Sequence, residues 1–233
     1  MTDYGYIARN YSKLLAEIRQ YEEIYGRKIT LVAVTKSGSD EELLELAKAG
    51  VTDVGENRPS ELSRRSEILH SQGYYPTLHE IGNIQRNKVK LVLSCADLVH
   101  SIGSVSLAEE MSKQAKKLGI RVKVLVEINS AAEESKGGFL PEEAEAAYLK
   151  IKEMDALDIV GIMTMGPVAE SQEQMRPYFK LTKRIFDTIK DKYGFDGEGI
   201  LSMGMSNSYR VAIEEGSTLV RVGRKLFDKN EGR

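Results

Sequence analysis

Lys36 is the residue whose type and place point most directly to chemistry. It stands two positions after the apolar run Ile29 to Val34, in LVAVTKSG. A lysine carried to the end of a buried strand is desolvated, which lowers its pKa, and its neutral amine can then attack an aldehyde to form a Schiff base. The plainer alternative is a lysine whose stem lies along the rim with its head in water. A second candidate is the segment SMGMSNSYRVAIEEG. Its glycines let backbone approach a ligand closely. Ser206 stands where an N-cap would open a helix from Asn207 to Glu215, which Gly216 ends. A helix start offers free N–H groups and a positive dipole end to a phosphate.

Arg221 lies in the otherwise apolar run TLVRVG, followed by Gly223 and Arg224. A charge in such a run needs a partner or a ligand. The structural reading is an ion pair with a carboxylate such as Glu56. The functional reading is a donor to an anion or a lone-pair acceptor. Other candidates carry less. His79, on an apolar run, reads as a core histidine with its hydrogen bonds satisfied. The three histidines (His70, His79 and His100) have no metal-ligand spacing. Arg86, Lys88 and Lys90 read as a solvated helix face, and Met203 and Met205 as packing residues. No serine or cysteine shows a base partner for nucleophilic catalysis, and Cys95, the only cysteine, reads as a small buried hydrophobe.

These residues need a scaffold that gathers them. Eight short apolar runs recur: Ile29 to Val34, TDVGE around Val54, Leu78 to Gly82 and Asp97 to Ile102, then Val122 to Asn129, Asp158 to Met165, Ile200 to Met205 and Thr218 to Gly223. Nearly continuous, β-branched runs suit strands buried on both faces of a parallel sheet. Helical patterns lie between them: Asp40 to Gly50, Ser106 to Gly119 with Ser106 as N-cap, a stretch opened by Pro141, and Tyr178 to Gly194. A further helix, Tyr4 to Tyr25, precedes the first strand. Strand then helix, eight times over, predicts a single (β/α)8 TIM barrel with an extra N-terminal helix. An open doubly wound sheet is the alternative. Residues 1–233 read as one domain, with no linker or low-complexity tract. In a closed βα barrel, sites form at the C-terminal ends of the strands. Lys36, Asn57, Ser206, Arg221, Gly223 and Arg224 all fall at or near such ends.

Bulk properties narrow the function. The 233 residues carry 33 basic and 35 acidic side chains, a balance that argues against a nucleic-acid binder or a polybasic membrane surface. No run approaches ~18 apolar residues and the N-terminus lacks a signal-peptide pattern, so neither a membrane span nor secretion is expected. A cytoplasmic protein with a small-molecule ligand is the default, and a monomer is expected.

The motifs LVAVTK, VGEN, IGNIQRNK, VLVEIN, EESKGGF, GIMTMGP and LSMGMSNSYRVAIEEGSTLVRVG together resemble the YggS/PROSC family of pyridoxal phosphate homeostasis proteins. The resemblance runs over about residues 6–227. It implies a barrel like the N-terminal domain of alanine racemase, with pyridoxal 5′-phosphate held as a Schiff base on Lys36. It implies Ser206, Gly223 and the Arg224 backbone as phosphate ligands, Arg221 facing the pyridine nitrogen, and Asn57 lining the pocket. Three positions depart from the family pattern: Arg224 stands where threonine is usual, Ser208 where aspartate is, and Asn83 where histidine is. The function implied is non-catalytic: cofactor homeostasis, with amino-acid and keto-acid balance downstream and cofactor-dependent apo-enzymes as partners. The chain as read lacks the β-rich second domain that racemases use. A weak amino-acid racemase, an aldolase-type Schiff-base enzyme and a nucleic-acid or protein binder acting through Arg86, Lys88 and Lys90 are the competing readings.

Overall fold

The computed structural model describes residues 4–133 and 136–230. Glu134 and Ser135 of the EESKGGF segment lie outside the described residues. The chain opens with α1 (Gly5–Tyr25), whose buried face carries Ile7, Tyr11, Leu14 and Ile18, and which stops at Gly26 in the left-handed region. Eight strands follow: β1 (Thr30–Val34), β2 (Asp53–Glu56), β3 (Thr77–Glu80), β4 (Leu98–Ile102), β5 (Val122–Ile128), β6 (Leu157–Thr164), β7 (Ile200–Met205) and β8 (Leu219–Val222). All neighbours pair in parallel, and β8 pairs back onto β1, so the sheet closes in sequence order. The closed (β/α)8 barrel with an added N-terminal helix is therefore the observed architecture, and the open sheet is excluded.

Helices cover the outside: α2 (Asp40–Lys48), α3 (Pro59–Ser71), α4 (Val89–Leu93), α5 (Val105–Leu118), α6 (Ala144–Lys152), α7 (Arg176–Tyr193), α8 (Tyr209–Glu214) and the short α9 (Arg224–Phe227). Local chemistry sets their starts. Ser39 and Glu42 form a reciprocal capping box on α2, with Ser39 Oγ accepting from Glu42 N and Glu42 Oε2 accepting from Ser39 N. The cap of α5 is Ser104 rather than the expected Ser106. Ser104 has the extended backbone that a cap requires, and its hydroxyl accepts from Leu107 N at 3.2 Å, whereas Ser106 already lies inside the helix.

Strand alternation divides the apolar residues between two layers. Leu31, Ala33, Val54 and Leu78 pack outward against the helices with Leu43, Leu46, Leu62 and Leu69. Val32, Leu98, Leu125, Val160, Met163 and Leu219 pack together as a separate cluster, on strand positions that alternate with the outward set. The same parity puts Asp53, His79, His100, Lys123, Glu127, Ser202 and Arg221 inside the barrel.

Glu56 and Glu80 have the outward parity and are buried near α3. Glu56 accepts from the Thr35 hydroxyl at 2.6 Å and lies 3.8 Å from Arg65 Nε. Glu80 accepts from Gly82 N, while its Oε2 has no hydrogen-bond partner among the described residues. Burial pushes the Glu80 carboxyl up to about 8, with Glu56 adding to the rise. The unfolded chain releases this proton near pH 4.5 and the folded chain keeps it to about pH 8, so stability falls as pH rises through that window. Glu80→Gln should therefore match the native protein near pH 4 and exceed it by a few kcal/mol at pH 8, as read by urea unfolding at both pH values.

Candidate functional site

The seam that closes the barrel builds the site. Val32 on β1 is in register with Arg221 on β8, and Val34 is in register with Gly55 on β2. The ends of β7, β8, β1 and β2 are thus consecutive around one mouth. Ser206 follows β7, Gly223 and Arg224 follow β8, Lys36 follows β1 and Asn57 follows β2. Ser206 is buried, and its Oγ accepts from Gly223 N at 3.2 Å, tying two of these loops together. Gly223 sits against β1 so closely that a Cβ there would lie 2.8 Å from the Val34 carbonyl oxygen. Glycine is what allows backbone N–H groups to line this corner.

The loop bearing Lys36 is held from three sides. Gly38 N donates to Thr35 O, and Gly38 O accepts from Arg65 Nη2 on α3. Arg65 also donates to Asp40 Oδ1 at 2.7 Å, and the Phe227 ring packs against Gly38. Lys36 itself is exposed. The expected desolvation is therefore absent: β1 ends at Val34, and two further residues carry the lysine past the covered part of the barrel into the open mouth. Asn57 is half-buried beside it, and Arg224 is exposed.

Two further expectations are corrected. Ser206 does not cap a helix beginning at Asn207. The helix begins at Tyr209 and ends at Glu214, the Ser208 hydroxyl accepts from Met205 N, and Ser206 spends its oxygen on Gly223. Six residues make a weak dipole, so the anion-binding character of this corner rests on its hydroxyl, its N–H groups and nearby cations. Arg221 does not pair with Glu56, because the two residues lie on opposite faces of the sheet. Its guanidinium donates to Ser202 Oγ and, through Nη2, to Thr164 O at 2.9 Å, with Met165 Sδ at 3.8 Å.

Arg221 is 2% exposed and makes no ion pair among the described residues. Burial pulls it down to about 10, and the nearby Glu127 carboxylate partly opposes that pull. It remains charged at neutral pH, so a cation with no ion-pair partner among the described residues stands inside the barrel beside the mouth. Glu127, inside β5, is itself raised by burial and lowered by Arg221. His79 is a satisfied core histidine as expected, bonded to Asp53 and His100. Arg86, Lys88 and Lys90 are exposed, as a solvated face requires. Cys95 is half-buried and its thiol is pushed up to about 11 by burial.

Sequence reasoning assigned no site role to His100, Ser202, Glu127 or Arg65. The first three had a signal: each stands two residues from an inward apolar neighbour (Leu98, Ile200 and Leu125) on its own strand and so shares its face. Arg65 had none, since a helical arginine is ordinarily a surface residue.

A closed parallel barrel with this mouth belongs to a known class. The family model described as the alanine racemase N-terminal domain matches residues 10–230. The chain belongs to that family, and within it to the pyridoxal phosphate homeostasis proteins. A protein of that name from Aquifex aeolicus is 35% identical over 94% of this chain and 96% of its own length. Among solved structures, an unknown protein from Bifidobacterium adolescentis is 33% identical with a TM-score of 0.88, covering 97% of this chain and 98% of its own. PipY from Synechococcus elongatus, solved with PLP bound, is 25% identical with a TM-score of 0.82, covering 95% and 100%.

The turn carrying Ser206 gives a direct test of this geometry. Gly204 has φ +94, and a Cβ there would lie 2.5 Å from Ala212 Cβ and 2.9 Å from Tyr209 Cα. Gly204→Ala should destabilise the protein by about 2 kcal/mol or more, read as a lower thermal midpoint.

Proposed function

We propose that this protein is a single-domain barrel that binds pyridoxal 5′-phosphate as a Schiff base on Lys36 and serves the homeostasis of that cofactor in the cytoplasm. The observation that carries the reading is the mouth itself. An accessible amine, a hydroxyl–amide corner at Ser206 and Gly223, and a buried guanidinium at Arg221 held by neutral acceptors stand at one end of the barrel. The donor set fits a phosphorylated aromatic aldehyde with a basic ring nitrogen. PLP binding by PipY, a relative over nearly the whole chain, supports the same ligand here.

Bound pyridoxal phosphate supplies an aldehyde and, in enzymes, an electron sink. Lys36 would hold the aldehyde carbon. Ser206, the Gly223 backbone and the Arg224 N–H would hold the phosphate, with the Arg224 side chain adding a cation where a hydroxyl is usual. Asn57 would line the pocket beside Lys36. Arg221, facing the ring nitrogen, would keep it unprotonated because a guanidinium does not give up its proton. An unprotonated ring is a poor electron sink, which favours binding and release over carbanion chemistry. Exposure of Lys36 favours exchange with solvent in the same way. Balance of amino acids and keto acids would follow indirectly, through apo-enzymes that receive the cofactor, and the protein would act as a monomer. A weak racemase is the second reading, and activity that interconverts the alanine enantiomers and depends on Lys36 would favour it.

The deciding measurement is an absorbance spectrum of the native protein beside Lys36→Ala, each mixed with pyridoxal phosphate and then reduced with borohydride. A near-visible band in the native protein alone, trapped as a covalent adduct on Lys36, is the expected result. The same adduct in Lys36→Ala, or none in either, would overturn the assignment. Ser206→Ala should keep the band and weaken affinity roughly tenfold, as the loss of a charge-assisted hydrogen bond implies.

A further inference from the structure

Below Arg221, five side chains from five strands form one hydrogen-bonded row through the barrel. Arg221 Nη1 meets Ser202 Oγ, Ser202 Oγ lies 3.1 Å from His100 Nδ1, and His100 Nε2 lies 2.9 Å from His79 Nδ1. His79 Nε2 then lies 2.9 Å from Asp53 Oδ1. The row ends at the opposite mouth of the barrel, where Asp53 and His79 line a cavity of about 330 Å³. His79, His100, Ser202 and Arg221 are all buried, and His100 and Ser202 have no exposure at all.

The two ends set the direction of every proton between them. A guanidinium can only donate, and a carboxylate can only accept. Ser202 accepts from Arg221, so its own proton goes to His100 Nδ1. His100 must then carry its proton on Nε2 and donate to His79 Nδ1. His79 in turn carries its proton on Nε2 and donates to Asp53. With both imidazoles neutral, the two rings share one tautomer and each ring nitrogen in the row has a complementary partner. The reverse polarity in neutral rings would aim an imidazole lone pair at the carboxylate. Burial, with the Arg221 cation nearby, holds the His100 pKa well below its ordinary value, in keeping with a neutral His100 ring.

We propose that Ser202, His100, His79 and Asp53 are positioning residues for Arg221, forming a polarised relay that ties the guanidinium's orientation and field to a carboxylate at the far mouth. The proposal rests on the reading of the upper mouth as the pyridoxal phosphate site. Hydrogen bonds aligned head to tail polarise one another, so the negative end at Asp53 partly offsets the positive end at Arg221. The other charged groups facing the row are Glu127 beside Arg221, and Asp97, Lys123, Asp196 and Glu198 around the lower cavity.

Two measurements test the relay. The first needs no ligand: nitrogen-15 NMR of the native protein at pH 7 should show His79 and His100 as neutral Nε2–H tautomers. A Nδ1–H tautomer or an imidazolium at either ring would overturn the polarity. The second is a pH titration of the near-visible band with pyridoxal phosphate bound. Asp53→Asn keeps the shape and removes the negative end, so the positive field at the upper mouth grows and the band's midpoint should fall to lower pH. His79→Gln breaks the row and loosens the guanidinium, so affinity should weaken about threefold to tenfold, and adding Asp53→Asn to it should cost little more. Ser202→Ala should lose more, and Ser202→Thr should restore it. A folded Asp53→Asn protein with native midpoint and affinity would overturn the coupling. If the native protein takes up no pyridoxal phosphate, the reading of the upper mouth falls and the coupling with it, while the NMR tautomers still decide the polarity of the row.

Discussion

One buried guanidinium organises this barrel. Arg221 stands inside a closed sheet with no carboxylate in ion-pair contact among the described residues, and a bare charge in that position would be costly. The structure meets the cost with neutral acceptors: the Ser202 hydroxyl and the Thr164 carbonyl. Neutral acceptors satisfy the N–H groups without cancelling the charge. The field of the cation therefore remains available at the mouth, where a carboxylate partner would have quenched it.

Much of the neighbouring structure serves to keep that arrangement in register. Thr164 can offer its carbonyl to Arg221 while its hydroxyl donates to Ile128 O, which joins β6 to β5. Ser202 is anchored by its strand between Leu201 and Met203, both fully buried in the outer layer. The row from Ser202 to Asp53 crosses the barrel and gives an interior with a continuous polar line beside the apolar cluster of Val32, Leu98, Leu125, Val160, Met163 and Leu219. That pattern differs from an interior filled by branched aliphatic layers alone, and it makes alignment of the strands a condition for satisfying buried polar groups.

The loops at the mouth are built differently from the interior. Lys36 is exposed, yet its loop is pinned by Arg65, Asp40, Thr35 and the Phe227 ring. The backbone is thus held while the amine is left free. Arg65 joins α3 to this loop, and Phe227, almost at the end of the described chain, closes over Gly38 near its beginning. A reactive side chain on a fixed backbone suits reversible capture of a small aldehyde, because the backbone loses little further freedom on binding.

The repeat of apolar runs and helical stretches determined the barrel, since the periods of 2 and 3.6 are local properties that the chain carries wherever it folds. Lys36, Ser206, Arg221 and Gly223 were legible as candidates because each breaks an apolar run or a glycine turn at a strand end. Only the tertiary structure decided how they are used. The helix after Ser206 starts two residues later than its sequence suggests, because the Ser206 hydroxyl is taken by Gly223 from the next strand. Glu56 could not pair with Arg221, because strand parity sends the two to opposite faces of the sheet. The exposure of Lys36 depends on where the closed barrel stops covering β1, and the row from Arg221 to Asp53 depends on five strands meeting in register. Spacing along the chain holds no record of such contacts, which arise from closure of the sheet.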